Sequence, residues 1–182
     1  MARKPRVWFP SAVYHITKRG NRRSALFYDK QDRLTYLSMF EEARTFFPCI
    51  LHSYCLMTNH IHLQLETIEH HPQHIMKMLN SRYAVYFNRR HSYEGHLFQG
   101  RYRAELILST DYFLKVSKYI HLNPVEANIV KSPEIYDWSS YNAYISSQDN
   151  PHISTSRTLS YFPEPATEKY RAYVEGKNTL IH

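Results

Sequence analysis

An alternating stretch near the middle of the chain constrains the fold more than any other feature. From Ile61 to Glu66 apolar residues alternate with polar ones, a period of two that indicates a half-buried β-strand. His60 and His62 fall on the polar face of this strand, about 7 Å apart by the rise per residue. Two imidazoles at that separation can converge on one metal ion, although a histidine pair on a wet sheet face is also ordinary.

The hydrophobic pattern on either side of this strand predicts an α+β fold. Strands are predicted at residues 12–17, 50–57 and 60–67, with a fourth that ends at Leu108. Helices are predicted from Asp29 or Asp32 to about Phe47, from about His74 to Arg90, and from Ser109 or Thr110 to Asn123, before Pro124. This order is the split βαβ pattern of a ferredoxin-like antiparallel sheet with helices on one face.

The chain is interpreted as a single domain over residues 1–182, with a core of about 5–145 and a C-terminal extension over 146–182. Trp138–Tyr141 is predicted to form a packed cap, residues 146–168 a loop, and residues 169–174 a short helix. No apolar run is long enough to span a bilayer, and the first residues lack the apolar region of a secretory signal. The two cysteines, Cys49 and Cys55, are typical of reduced thiols in a cytosolic protein.

Positive charge is concentrated in two segments of a chain whose formal net charge is +7. The first segment, which precedes every acidic residue, contains Arg3, Lys4, Arg6, Lys18, Arg19, Arg22 and Arg23. The second contains Arg82, Arg89, Arg90, Arg101 and Arg103. Together with 16 tyrosines, these cations favour binding to a nucleic acid backbone with unstacked bases. A basic protein whose tyrosines fill the core would have the same composition.

Tyr119 and Asn123 lie four residues apart, so they share one face of the predicted helix. A tyrosine hydroxyl can act as a covalent nucleophile when a metal ion or a dry site assists it, and an asparagine carbonyl is a hard oxygen donor. If Asn123 joined His60 and His62, three ligands would leave positions open for substrate oxygens. The residues alone leave other arrangements open, since tyrosines on amphipathic helices mostly pack and Asn before Pro commonly forms a turn.

Four sequence blocks follow one another between about residues 5 and 145. They are Phe9–Arg23, Met57–Leu63, His96–Tyr102 and Tyr119–Val125. In this combination they resemble the single-tyrosine HUH transposases of the insertion-sequence-200-like family, and most closely the branch of REP-associated tyrosine transposases. The resemblance implies the HUH endonuclease fold, which agrees with the predicted ferredoxin-like sheet.

The resemblance also implies roles for the matching residues. His60 and His62 match the two histidines of the HUH motif, Asn123 the third metal ligand, and Tyr119 the nucleophile. The implied reaction is cleavage of single-stranded DNA beside a hairpin, with one Mg²⁺ or Mn²⁺ ion and a 5′-phosphotyrosine intermediate that allows rejoining without ATP. DNA contacts are expected at Arg3, Lys4, Arg6, Lys18, Arg19, Arg22, Arg23, Arg89, Arg90, His96, Gln99, Arg101 and Arg103.

The expected partner is therefore single-stranded hairpin DNA, from REP-like elements or insertion-sequence ends. No membrane contact is expected, and the protein would act at the nucleoid in a bacterial cytoplasm as a monomer or a homodimer. Two other functions stay open on the sequence: a non-catalytic regulator that binds hairpin DNA, and a zinc hydrolase of small phosphoesters.

Several other side chains compete for the same roles. Tyr112, seven residues before Tyr119, is the rival nucleophile to test. His96 and His121 are predicted to be structural or close to DNA and not metal ligands. The histidine-rich stretch His70–His74 contains a proline and is predicted to be a solvated connector.

Overall fold

The computed structural model describes residues 7–146 and 148–176. Its strands are β1 (Val13–Arg19), β2 (Cys49–Leu56), β3 (His60–Thr67) and β4 (Arg103–Ile107). Its helices are α1 (Lys30–Phe46), α2 (Pro72–His91), α3 (Thr110–Glu126), α4 (Asn142–Ile145), α5 (Ser156–Leu159) and α6 (Ala166–Glu175), with 3₁₀ turns at Asn21–Arg23 and Pro133–Ile135. Within the described ranges, no helix combines the length and the apolar character needed to cross a membrane.

The four strands form one sheet in the order β2-β3-β1-β4, and every neighbouring pair is antiparallel. Helix α1 connects β1 to β2 across β3, and α2 connects β3 to β4 across β1. These two interleaved βαβ units are the split arrangement that the sequence predicted, so the ferredoxin-like α+β fold is confirmed. Strands β1 and β3 lie at the centre of the sheet.

The two crossover helices cover one face of the sheet with the main hydrophobic core. Alternate residues of the central strands face this core, in agreement with the predicted pattern of period two. The strand residues include Tyr14, Ile16, Leu63 and Leu65, and the helix residues include Tyr36, Phe40, Leu79 and Tyr83. Helices α1 and α2 also contact each other along their length.

Helix α3 lies on the opposite face, where the sequence analysis placed no helix. A second cluster joins Val13 and Cys55 of the sheet to Phe113, Val116 and Ile120 of the helix. The polar face of β3 is therefore buried as well, and the Gln64 side-chain amide donates to the Phe113 carbonyl at 2.9 Å. Polar strand residues that the pattern assigned to solvent consequently lie beneath a helix.

Two predicted helix ends differ from the structure. Helix α3 continues through Pro124 to Glu126, because a proline in the last turn removes one hydrogen-bond donor while the Asn123 carbonyl still accepts from the Ala127 amide. Helix α2 begins at Pro72, with the His71 ring accepting from the Gln73 amide at 3.0 Å. The predicted connector over residues 70–74 is therefore partly the first turn of a helix.

The C-terminal part of the chain packs against the outer side of α3. The Tyr170 hydroxyl of α6 lies 2.6 Å from Ser117 Oγ and 2.7 Å from His121 Nδ1, all three being buried. The second nitrogen of His121 lies 2.8 Å from Ser140 Oγ, and Ser140 also bonds to the backbone of Tyr54 in β2. Residues 139–141 are buried, as expected of the packed cap, and this polar network ties α3 to both α6 and the sheet.

We expect Tyr170→Phe to lower the free energy of unfolding by about 1–3 kcal/mol, because buried Ser117 and His121 lose their shared partner. Urea denaturation measures the change, and amide hydrogen exchange should increase along α3. Tyr173→Phe is the matched control, since it keeps the ring that covers Lys118, and its effect should stay within about 0.5 kcal/mol. Equal effects of the two substitutions would contradict the role of the network.

Candidate functional site

The sequence-predicted metal ligands and nucleophile come together between the first residues of β3 and the last turns of α3. The His60 Nε2 atom lies 3.1 Å from the Asn123 Oδ1 atom. The rings of His60 and His62 have centroids 4.9 Å apart. The Tyr119 ring lies edge-on to His62 with centroids 5.4 Å apart. One copy of the chain thus supplies all four side chains.

His62 is the most enclosed member of this group, with 3% of its surface exposed. Its Nδ1 atom lies 3.0 Å from Nε2 of His15, and the two rings are stacked. Thr17 Oγ1 lies 3.5 Å from the same Nδ1 atom. The other nitrogen of His62, Nε2, is buried and has no hydrogen-bond partner among the described residues. Most buried nitrogens in proteins have a partner, and an ion or a water molecule is one kind of partner that this atom could take.

His60 is oriented by the residue before it. Its Nδ1 atom lies 2.7 Å from Asn59 Oδ1, and the Asn59 amide donates to the Arg23 carbonyl at 3.3 Å. Because a carbonyl only accepts, this second bond fixes which end of the Asn59 amide faces His60. A neutral His60 ring then donates from Nδ1 and directs the Nε2 lone pair towards Asn123.

The environment keeps the imidazoles in the neutral form. Burial, with added repulsion from His15, His60 and Arg19, lowers the pKa of His62 to about 2. Burial also lowers the pKa of His60, an effect opposed by the hydrogen bond that the protonated ring would donate to Asn123 and reinforced by Arg19. The pKa of His15 is lowered chiefly by burial. Neutral imidazole is the form that coordinates metals.

Tyr119 is more exposed than Tyr112, the other tyrosine of α3. It is 42% exposed, and its ring also meets His15 edge-on with centroids 5.7 Å apart. The rival Tyr112 donates its hydroxyl to Glu105 of β4 at 3.2 Å. Tyr119 therefore has surface open to a substrate, whereas the Tyr112 hydroxyl is already engaged with a carboxylate.

The donor set fits a small divalent cation that prefers octahedral geometry. Such ions bind ligands at about 2.1 Å, which separates adjacent ligand atoms by about 3 Å. The separation of 3.1 Å between His60 Nε2 and Asn123 Oδ1 matches that spacing. Across residues 7–146 and 148–176, no group of three His, Cys, Asp or Glu side chains is arranged to hold a metal. The candidate cation donors at this site are the amide oxygen of Asn123 and the rings of His60 and His62.

The residues expected to contact DNA fall into several groups. Arg3, Lys4 and Arg6 lie outside the described residues. The following are exposed at the ends of the strands, on the turn after β1, on α2 or in the loop before β4: Arg19, Arg22, Arg23, Arg89, His96, Gln99, Arg101 and Arg103. Arg22 and Arg23 have positive φ angles of 51° and 61°, which places both in the left-handed region that non-glycine residues seldom adopt.

Two of the expected DNA contacts serve the packing of the protein. Arg90 forms ion pairs with Asp29 and Asp32, which join α2 to the beginning of α1. Lys18 is buried, and its amine donates to the Gly100 carbonyl. His121, predicted to be structural or close to DNA, belongs to the buried network behind α3. Charge in the sequence therefore overstates the number of cations available to a phosphate.

Sequence reasoning assigned no role to His15 or Asn59, the residues that orient the two histidines. Asn59 lies in the turn between β2 and β3, and a turn residue carries no sequence signal of the side chain that it contacts. His15 lies between Tyr14 and Ile16 in the predicted strand, so the alternating pattern places its side chain on the polar face of that strand. Its contact with His62 depends on the register that pairs Thr17 with His62, which no local pattern specifies.

Comparisons with known proteins concern the family and the fold of the chain. The family model described as "Transposase IS200 like" matches residues 9–123. A REP-associated tyrosine transposase solved bound to a REP hairpin has a TM-score of 0.68 and 15% identity, over 85% of this chain and 98% of that chain. A candidate transposase from Deinococcus radiodurans R1 has a TM-score of 0.45 and 17% identity, over 65% of this chain and 95% of that chain. No curated protein matches the sequence significantly.

Proposed function

The chain belongs to the family of IS200-like transposases, and from this premise we propose that it cuts and rejoins single-stranded DNA beside hairpins. The observation that carries the proposal is the position of Tyr119 against His62, beside the pair formed by His60 and Asn123. An accessible nucleophile next to a set of cation ligands is what phosphoryl transfer requires. The fold alone would not distinguish this activity from others.

In the proposed reaction the Tyr119 hydroxyl oxygen attacks a backbone phosphorus atom. A bond forms between this oxygen and phosphorus, and the bond from phosphorus to the 3′ oxygen breaks. The leaving oxygen takes up a proton and becomes a free 3′-OH, while the phenolic proton passes to solvent at the exposed edge of the site. The 5′-phosphotyrosine keeps the energy of the phosphodiester, so a 3′-OH can reverse the step and join the strand without ATP.

We propose that His60, His62 and Asn123 hold one Mg²⁺ or Mn²⁺ ion. Two observations support this ligand set: the buried, unpartnered Nε2 of His62, and the lone pair of His60 that faces the Asn123 oxygen. When bound, the ion would polarise the scissile phosphate and stabilise its developing negative charge. His15 and Asn59 would act as positioning residues that set the tautomers of the two histidines.

The proposed partner is hairpin DNA from REP-like elements or insertion-sequence ends. The structural relative was solved with a REP hairpin, and the exposed arginines at residues 19–23 supply cations near the site. The basic residues 3, 4 and 6 belong to the same proposed surface. Because one chain carries the whole residue set, we further propose that a single copy, acting at the nucleoid, is sufficient.

Tyr119→Phe should abolish covalent attachment of DNA while hairpin binding stays within about twofold, because the ring and its contacts remain. Purified protein is incubated with Mn²⁺ and end-labelled hairpin DNA from beside its own gene, and denaturing gels detect labelled protein. Tyr112→Phe is the matched control and should attach DNA as the wild type does.

The other outcomes of this assay select other functions. DNA that shifts in native gels but never attaches, with several metals tried, would indicate a binding regulator. Hydrolysis of a small chromogenic phosphoester that survives Tyr119→Phe would indicate a metal hydrolase instead.

Mn²⁺ affinity, measured without DNA by the electron paramagnetic resonance of free Mn²⁺, tests the ligands separately. His62→Ala and Asn123→Ala should remove binding, and His15→Ala should weaken it about 10–100-fold because His62 loses the group that orients it. His74→Ala, in the histidine-rich stretch on α2, is the control and should leave affinity unchanged. Full affinity in the His15 variant would refute its positioning role.

A further inference from the structure

A cavity of about 410 Å³ lies between α2 and the loop over residues 95–100. It is large enough for a nucleotide-sized ligand. Asn80, Ser81, Ala84 and Asn88 line it from one face of α2, and Lys18 reaches it from the end of β1. The loop contributes the half-buried ring of Phe98. None of these groups has a role in the site around Tyr119.

Lys18 gives the cavity a buried cation. Its side chain is 6% exposed, its amine donates to the Gly100 carbonyl, and Nζ lies 4.8 Å from the centre of the Phe98 ring. Burial lowers the pKa of Lys18 to about 8, which leaves the amine mostly charged at neutral pH. The residues that line the cavity include no Asp or Glu, and an ammonium group has three donors. Lys18 can therefore donate to an acceptor on a ligand.

Asn88 gives the cavity a buried acceptor. Its Nδ2 atom donates to the Gly95 carbonyl at 3.0 Å, so the orientation of the amide is fixed. Its Oδ1 atom is buried and accepts no hydrogen bond from the described residues. A buried carbonyl oxygen without a donor is unfavourable, and a ligand N–H would supply the donor.

Hydrogen bonds hold in place the loop over residues 95–100, which lines the cavity. Gly95 and Gly100 have positive φ angles of 93° and 55°, a conformation that glycine adopts without strain. Between them, the Leu97 carbonyl accepts from the Asn21 amide at 2.8 Å. The Gln99 amide donates to the Arg19 carbonyl at 3.0 Å. The cavity is therefore attached to the same basic turn that borders the candidate active site.

The cavity and the candidate active site lie on opposite faces of the sheet at the same end. Tyr14, Ile16 and Lys18 alternate along β1 and lie on the face of the sheet that α2 covers. Arg19 pairs with His60 of β3 and lies on the other face. The exposed turn at Asn21–Arg23, which follows β1 at this end of the sheet, carries the two cations Arg22 and Arg23.

We propose that this cavity binds one unstacked nucleobase of the single-stranded DNA beside the cleavage site, an inference that rests on the proposed function. The base would stack on Phe98, accept from Lys18 and donate to Asn88. Aromatic rings with neighbouring cations are the usual means of holding single-stranded DNA. A backbone phosphate fits less well, because at neutral pH it has no donor for the Asn88 oxygen.

Fluorescence anisotropy in EDTA, with labelled hairpin DNA and its single-stranded flanks from beside the gene, tests the proposal. Each flanking base is replaced in turn by an abasic site. One position should weaken binding about tenfold, as expected for loss of one stacked base. A photoreactive base analogue at that position should cross-link to α2 or to the loop over residues 95–100.

Ser81→Trp fills the mouth of the cavity from an exposed position on α2. It should weaken binding of intact DNA about tenfold and remove the sensitivity to that abasic position. Ser38→Trp is the matched control, an exposed serine of α1 outside the cavity lining, and it should bind as the wild type does.

Unchanged binding in Ser81→Trp, or a cross-link outside α2 and the loop, would overturn the proposal. An abasic scan without a sensitive position would overturn it as well. Because EDTA prevents metal-dependent cleavage, these results are independent of whether Tyr119 attaches to DNA.

Discussion

The burial of the polar face of β3 beneath α3 is the constraint on which the rest of the site depends. A helix that covers polar side chains requires each of them to find a partner, because an unsatisfied buried group is costly. Gln64 meets this requirement through Ser53 and the Phe113 carbonyl, which fixes α3 on the sheet. His62 meets it on one side only, through His15. The nitrogen left over, His62 Nε2, is the atom proposed to bind an ion.

The contacts on the opposite side of α3 explain how the proposed nucleophile, Tyr119, is held in position. Residues four apart share a helix face, so Tyr119 and Asn123 face the sheet end while Ser117 and His121 face the C-terminal helix. The buried contacts of Ser117 and His121 with Tyr170 restrict rotation of the helix about its axis. A small rotation would carry Tyr119 away from His62, so precise placement depends on residues far from the reacting atoms.

The sheet could be predicted from the sequence, because the alternating pattern of a strand and the caps of a helix are both set by residues that lie close together in the chain. Strand β3 was predicted at its observed bounds for this reason. The position of α3 on the second face of the sheet could not be predicted from the sequence, because an alternating pattern does not reveal what covers the polar side of a strand. The contact of His15 with His62 depends on strand register, and the end of α3 depends on how much of a last turn Pro124 permits. The choice of Tyr119 over Tyr112 came from the resemblance; in the structure the Tyr119 ring contacts His62, and the Tyr112 hydroxyl bonds to Glu105.

The basic residues illustrate why composition alone cannot define an interface. Lys18 and Arg90 add to the net charge as much as Arg22 does, yet Lys18 is buried and Arg90 is engaged in ion pairs with Asp29 and Asp32. Of these two residues, Lys18 has the proposed role in base binding, because it is buried at a cavity whose lining contains no acidic residue. The Asn59 side chain links the two regions, since it contacts both His60 and the basic turn at Arg23. DNA that moves this turn would therefore also move a residue that orients the candidate metal ligand.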